Sequence, residues 1–292
     1  SDNHILQDRV RGIYNYLISD DHDAQATDTN SVQRFLQQGV QIGSMNAVNT
    51  SAESYVLWQW VANGAGTTNE DGDYDTTVSA NTDAGFSVIK YSVGGSTTTN
   101  ATIGHGLGVA PAFYTIKRYS TSADNWNCWH HALAAGEYGS IDTTNAVASG
   151  GTGFMNGAPT ASIINLGTWS AVNATNSDYI CYAWAEVDGY SKFGIYSGNS
   201  TTSTPKNGPF VYLGFRPAFL LIKSTSGPGG GSADQGGWHM YDDERSTYNP
   251  SKKELFADSA SSEGDPGNER IDFTANGFKI RDQYDLNGSG RD

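Results

Sequence analysis

Cysteine is almost absent from this chain of 292 residues: Cys128 and Cys181 are the only two. Neither has CxxC spacing or a histidine at zinc-finger spacing, which leaves no basis for a disulfide framework or a structural zinc site. Both read as buried apolar residues of a protein kept in a reducing compartment. Basic residues are also scarce, with 17 Lys and Arg against 31 Asp and Glu and a formal net charge of −14. Phosphate binding needs clustered cations, so a nucleic-acid partner and an anionic membrane surface are not expected. No apolar run approaches the ~20 residues that cross a bilayer, so no membrane insertion is expected. The opening SDNHILQDRV is too polar for a signal peptide. Charged residues total only 16%, too few for charge-driven disorder.

What the chain does hold is turn formers and aromatics. Gly (35 residues), Ser, Thr, Asn and Asp dominate the rest, and 16 Tyr with 7 Trp favour strands over helices. Many short strands joined by many turns follow from that mixture.

The chain resembles itself at a fixed spacing. Asn173-ATNSD-Tyr179-ICYAWAEV matches Asn49-TSAES-Tyr55-VLWQWVA, with Trp58 falling on Tyr182 and Trp60 on Trp184. Upstream, Gly39-VQIGSMNAVN matches Gly277-FKIRDQYDLN and Ile163-INLGTWSAVN. In the other half, Gly85-FSVIKYSVGG resembles Ser191-KFGIYSGNS, Pro111-AFYTIKRY resembles Pro217-AFLLIKST, and Trp126-NCWHH resembles Trp238-HMYDD. Anchors recurring in one order define a unit of about 105 residues. Residues 85–188 make one complete unit, 1–64 only the second half of one, and 189–292 a third lacking its last strand. The Gly-, Asp- and Thr-rich segment 65–84 reads as a linker. Asn287 calls for an aromatic at position 293, which implies a longer polypeptide or strand exchange with a neighbour.

Alternation of period two marks half-buried strands. Ile180, Tyr182 and Trp184 share one face of their segment, and the small Cys181, Ala183 and Ala185 the other, as suits a central strand. About seven such segments fit the complete unit, so the expectation is all-β, with tandem β-sandwich-like domains and incomplete units at both ends. Ser31–Gln38 alone reads as two helical turns, capped by Thr29 or Asn30.

Chemistry is mostly missing. GxSxG, HExxH, P-loop and GxGxxG contexts do not occur. His130 and His131 stand beside Cys128 and invite a metal or nucleophile reading, but Met240, Asp242 and Asp243 replace them in the third unit, so a structural role is preferred. His105, in the turn GHGLG, is read as covering backbone. Asp71, Asp73 and Asp75 start like a calcium loop but lack its Gly at position six and Glu at position twelve, so they read as a solvated acidic stretch. No catalytic residue, cofactor or metal ligand is assigned. Trp169, whose counterparts Met45 and Gln283 are not aromatic, is the one candidate surface contact for a ligand such as a sugar.

GFSVIKY, TIGHGLGVAPAFYTIKR, VNATNSDYICYAWAEVDGYSKFG and GPFVYLGFRPAFLLIK resemble a tandem β-domain family of tailed-bacteriophage virion proteins, common in marine phages and found in tail fibres and other tail-associated proteins. The resemblance covers nearly the whole chain and is weakest over 1–38 and 65–84. It implies a virion structural protein, a tail fibre or tail-attached appendage that helps to recognise the host surface. It also implies assembly in the host cytoplasm, other tail proteins and a host-surface glycan or protein as partners, and a homo-oligomer, plausibly a trimer. The alternatives are a glycan-degrading tailspike depolymerase and a lectin-like carbohydrate-binding module.

Overall fold

The structure is a computed structural model that describes residues 3–122, 124–200, 206–226, 236–264, 269–282 and 286–288. It is all-β, built from several antiparallel sheets, as the composition and alternation lead one to expect.

The first 64 residues form a three-stranded sheet of β1 (Ile5–Gln7), β2 (Asn15–Ile18) and β3 (Ala26–Thr27), a hairpin of β4 (Val32–Leu36) with β5 (Gly39–Ile42), and a single helical turn α1 (Asn46–Asn49). The two helical turns expected over Ser31–Gln38 are therefore strand β4. An isolated helix of that length cannot offset its nucleation cost, whereas pairing with β5 satisfies the backbone groups of both strands.

The middle of the chain supplies β6 (Thr67–Asn69), β7 (Thr76–Asn81), β8 (Phe86–Val93), β9 (Thr102–Gly104), β10 (Phe113–Arg118), β11 (Asn127–His130), β12 (Glu137–Ser140), β13 (Ala148–Ser149), β14 (Ile163–Asn165), the turn α2 (Ser170–Asn173) and β15 (Ser177–Trp184). Eight of these strands form one sheet in the order β13-β12-β11-β10-β15-β8-β7-β6. The last strand of the unit thus returns to lie between β8 and β10, the central position that its small-residue face suggests. Tyr179, Cys181 and Ala183 enter a core closed by the β9–β14 pair and by Phe154, Met155, Leu166 and Val172. Ile180, Tyr182 and Trp184 face the other way, into the rest of the chain.

Segment 65–84, expected to be a linker, instead contributes β6 and β7 to this sheet. Thr76, Val78 and Ser79 are buried, and β7 runs beside β8 over its whole length. Turn-rich composition concealed the alternation of Thr76, Val78 and Ala80. The backbone also fits tightly here, since a Cβ on Gly72 would meet the Thr102 carbonyl oxygen at 2.5 Å.

The third unit holds β16 (Phe210–Tyr212), β17 (Phe219–Lys223), β18 (Trp238–Asp242), β19 (Leu255–Phe256), β20 (Ile271–Thr274) and β21 (Gly277–Ile280). Its β17-β18-β19 sheet repeats β10-β11-β12, and β16-β21-β20 covers a second core around Tyr241, Ile271, Phe273 and Ile280. Gln283, the expected counterpart of Trp169, lies outside the described residues.

Candidate interaction surface

The repeat persists at the level of single hydrogen bonds. Tyr179 Oη accepts from the Ala174 amide at 2.7 Å and donates to the Ser170 carbonyl at 2.7 Å. Tyr55 does the same with the Thr50 amide (2.8 Å) and the Asn46 carbonyl (3.0 Å). The six-residue step from Asn to Tyr thus encodes a hydroxyl that ties off a one-turn helix. Tyr91 donates to the Val172 carbonyl, and its counterpart Tyr196 to the Leu286 carbonyl, each at 2.9 Å. In all three units an aspartate accepts from the amide opening the strand that begins near Trp126: Asp20 from His4, Asp142 from Trp126 and Asp258 from Trp238.

That alignment makes His4, Trp126 and Trp238 equivalent, and each reaches the next unit. Trp126 Nε1 donates to the Ile18 carbonyl and Trp238 Nε1 to the Ser140 carbonyl, both at 2.7 Å. His4 Nε2 lies 3.1 Å from the Ser259 carbonyl oxygen, while Ser19 Oγ donates to the Ala257 carbonyl. Second touches first, third touches second, and first touches third, so the units close a cycle. The main chain repeats the pattern, for the Gln25 amide donates to the Tyr119 carbonyl as the Val147 amide donates to the Thr225 carbonyl, each at 2.9 Å.

Two junctions of the cycle carry a buried aspartate, an arginine three residues on, and an aromatic donor from a neighbouring unit. Asp8 pairs with Arg11 at 2.6 Å and accepts from Tyr182 Oη at 2.8 Å; burial pushes that phenol well up, so it stays a donor. Asp242 pairs with Arg245 at 2.6 Å and accepts from Trp58 Nε1 at 3.3 Å, with the guanidinium lying over the Trp58 ring. Arg11 reaches Gln25, and Arg245 reaches Glu263.

The equivalent positions of the middle unit are His130, Leu133 and Val147, and among the described residues no aromatic donor arrives. His130 instead packs on His131, Phe113 and Phe193. Burial, with help from His131, depresses its pKa to about 4, so the ring is neutral at physiological pH. Leu133 and Val147, with Ala132, Glu137, Ile195 and Thr225, line an open cleft of ≈ 220 Å³ between the second and third units.

Beside the cycle runs an unpaired apolar segment. Residues 55–62 have no strand partner among the described residues, and Tyr55 (48%), Leu57 (58%), Trp60 (44%) and Val61 (68%) remain exposed. Trp58 and Trp60 meet Phe219 at 5.5 and 5.8 Å, and Trp60 meets Trp184 at 6.2 Å. A contiguous exposed apolar stretch of this kind is the mark of an interaction surface.

Trp169 is half-buried and stands edge-on to Tyr138 at 4.9 Å, and its indole fills the space beside Gly150 and Gly153, where any Cβ would strike it. His105 is buried and receives the Leu107 amide on Nδ1, with Nε2 3.1 Å from the Thr160 carbonyl oxygen, so it does cover backbone. Cys128 and Cys181 are buried free thiols that burial pushes well up, away from nucleophilic thiolate. Asp73 accepts from the Thr102 amide and hydroxyl, and Asp71 from Asn69, which ties the acidic stretch to β9 and β6. Among the described residues no His, Cys, Asp and Glu group has metal-holding geometry. Sequence reasoning overlooked Asp8, Arg11, Asp242 and Arg245. Their common Asp-x-x-Arg spacing was visible, but only once His4 is aligned with Trp238.

The third unit holds a further buried charged cluster, around Glu254. Burial alone would raise the pKa of Glu254, but His239 at 2.6 Å, Arg270 and the Tyr241 hydroxyl hold it below the usual range. This joins β18 to the segments before β19 and β20.

Residues 1–292 match the family model of a domain of unknown function, DUF7483. No curated protein and no solved structure matches the chain.

Proposed function

This chain belongs to the DUF7483 family, and we propose that it is a structural and binding protein of a tailed-phage virion, a tail fibre or tail-attached appendage whose surface contributes to host recognition. The observation that carries the structural part is the closed cycle of unit-to-unit hydrogen bonds from His4, Trp126 and Trp238. Such joints make a stiff body from short β-modules and leave apolar and turn surfaces to meet partners. The buried carboxylates Asp8, Asp242, Glu254 and Asp282 are held by arginine or histidine in structural roles. That supports a non-enzymatic reading. The virion assignment rests on the sequence resemblance.

Proteomics and antibody labelling of purified particles test the reading: the chain is expected at the tail, and its absence from particles overturns the virion assignment. Incubation with host polysaccharide separates out the depolymerase, because release of reducing ends would replace this reading with that one. Tight binding of the isolated protein to one glycan on an array would favour the lectin.

A further inference from the structure

The β16–β21 pair repeats the β9–β14 pair residue for residue. Phe210 faces Lys279 and Tyr212 faces Gly277, as Thr102 faces Asn165 and Gly104 faces Ile163. The flanking bonds repeat too. The Ile280 amide donates to the Pro209 carbonyl as Leu166 does to Ala101, and the Leu213 amide to the Asn276 carbonyl as His105 does to Ser162. Antiparallel alternation therefore turns the amides and carbonyls of Thr102 and Gly104, and of Phe210 and Tyr212, away from the partner strand. In the middle unit the chain itself occupies that outer edge. Asp73 accepts from the Thr102 amide at 3.0 Å and from its hydroxyl at 2.8 Å. The Tyr74 amide donates to the Thr102 carbonyl, and Thr76 Oγ1 to the Gly104 carbonyl. In the third unit the edge is open. Among the described residues nothing hydrogen-bonds the outward groups of Phe210 and Tyr212, which are 46% and 68% exposed. The cause is internal to the chain. Residues 185–192 pass directly from β15 to the segment that matches β8, turning through the Val187–Ser191 bridge, and leave no residues for counterparts of β6 and β7.

A three-residue edge strand is by itself an ordinary solvated edge. What distinguishes β16 is the chemistry beside it. Lys279 stands where the middle unit has Asn165. Neither Lys279 nor Lys206 forms an ion pair among the described residues, on a chain whose net charge is −14. Lys279 Nζ donates to the Gly208 carbonyl and Arg281 to the Lys206 carbonyl, each at 3.0 Å, which gathers these cations at the start of β16. Asp272, opposite Lys279, is bound by Arg281 at 2.6 Å. We propose that the free edge of β16 docks an extended acidic segment of a partner protein, added as a strand with one carboxylate on the Phe210 amide and beside Lys279. Asp73 on Thr102 is the pattern for that contact within the same chain, and Lys279 adds the charge that Asn165 lacks. The partner's next amide meets the Phe210 carbonyl, as Tyr74 meets Thr102. Phe210 and Tyr212 then flank the added strand with two rings, and main-chain bonds supply the affinity. Tyr212 also restricts the partner. A Cβ on Gly104 would strike Asn69 Oδ1, so the third-unit edge takes only a segment with no side chain at the place of Asn69. An acidic polysaccharide offers the carboxylate but not the strand geometry that meets both outward carbonyls. This inference stands on the fold and on charge, and holds whether or not the assembly is a virion.

Fluorescence anisotropy with the wild-type chain tests this. The probe is a labelled peptide EDGDYDTT, residues 70–77, which carries the Asp73 carboxylate and leaves out Asn69. The peptide is expected to bind, and its Asp73→Asn form about tenfold more weakly, as loss of one charge-assisted hydrogen bond entails. In the protein, Phe210→Pro removes the outward amide and no bond to β21, so binding should be lost while the melting temperature changes little. Lys279→Glu is the second variant, should the first not fold, and should weaken binding by about tenfold or more. Absence of peptide binding overturns the proposal, and so does binding that Phe210→Pro and Lys279→Glu leave unchanged. Binding of polygalacturonate, lost in Lys279→Glu, by a chain that ignores the peptide would give the edge to acidic glycans and overturn it as well.

Discussion

The Tyr182 hydroxyl donates to Asp8 Oδ2 at 2.8 Å across 174 residues of sequence, and the same carboxylate holds Arg11 at 2.6 Å. Trp58 and Asp242, with Arg245, repeat that relationship elsewhere in the molecule. One sequence pattern therefore makes two joints between different pairs of units, and a change at one joint has an internal control at the other.

Asp8→Ala leaves the Arg11 guanidinium buried without its carboxylate and Tyr182 without its acceptor. Breaking a buried pair from one side costs about 3–5 kcal/mol, so a large fall in the urea midpoint is expected. Asp242→Ala should cost less, since Arg245 keeps a second carboxylate, Glu263, where Arg11 keeps the neutral Gln25. Equal losses would show that the two joints do not differ as their geometry implies.

Trp238→Phe keeps most of the apolar contact and removes only the donor to the Ser140 carbonyl. A buried carbonyl left unpaired costs about 1–3 kcal/mol. Trp126→Phe should behave alike through Ile18. Thermal unfolding of both variants checks this, and an unchanged midpoint would remove these indoles from the account of how the units hold together.

Asp142 shows how burial at a joint couples to pH. Burial lifts its pKa to about 6 although the Trp126 amide and Lys117 favour the charged form. The folded state thus takes up a proton that the unfolded chain, with an ordinary carboxylate near 3.8, does not. Asp142 therefore costs stability above pH 6, and that cost fades as the pH falls from 6 toward 4. Asp142→Asn keeps the acceptor and removes the charge. It should raise stability at pH 7.5 by about 2 kcal/mol and have little effect at pH 4. The difference between variant and wild-type unfolding free energies, taken across that range, isolates this group from the depressed His130, whose contribution runs the other way.

Trp169 distinguishes packing from ligand contact. Trp169→Ala empties the space beside Gly150 and Gly153 and uncovers Tyr138, for a loss of about 2–3 kcal/mol at a half-buried site. Gly153→Ala, which drives a methyl group into the indole, should destabilise as well. Trp169→Phe should recover much of the stability. If Trp169→Ala leaves the melting temperature unchanged but weakens glycan binding, the ring acts as a surface contact.

Much of the fold was legible in the residues. The alternation over Tyr179–Val187 determined which side chains share a face, and the Asn-to-Tyr spacing determined where a one-turn helix is tied off. Both depend on neighbours in sequence, so a linear reading reaches them. Segment 65–84 was misread because strand and loop share a Thr- and Gly-rich composition, and only pairing with β8 separates them. Ser31–Gln38 was misread because the partner that makes it a strand is β5, not anything within it.

The recurring β pattern with its central aromatic strand was therefore determined by the sequence itself. Only the tertiary structure decided that the three units close a cycle, that Asp8 and Asp242 take aromatic donors from other units, and that His130 takes none among the described residues. Periodicity records which face of a strand is apolar. It does not record what that face meets, because the hydrogen bond from Trp126 to Ile18 or from Tyr182 to Asp8 exists only where separate units are packed together.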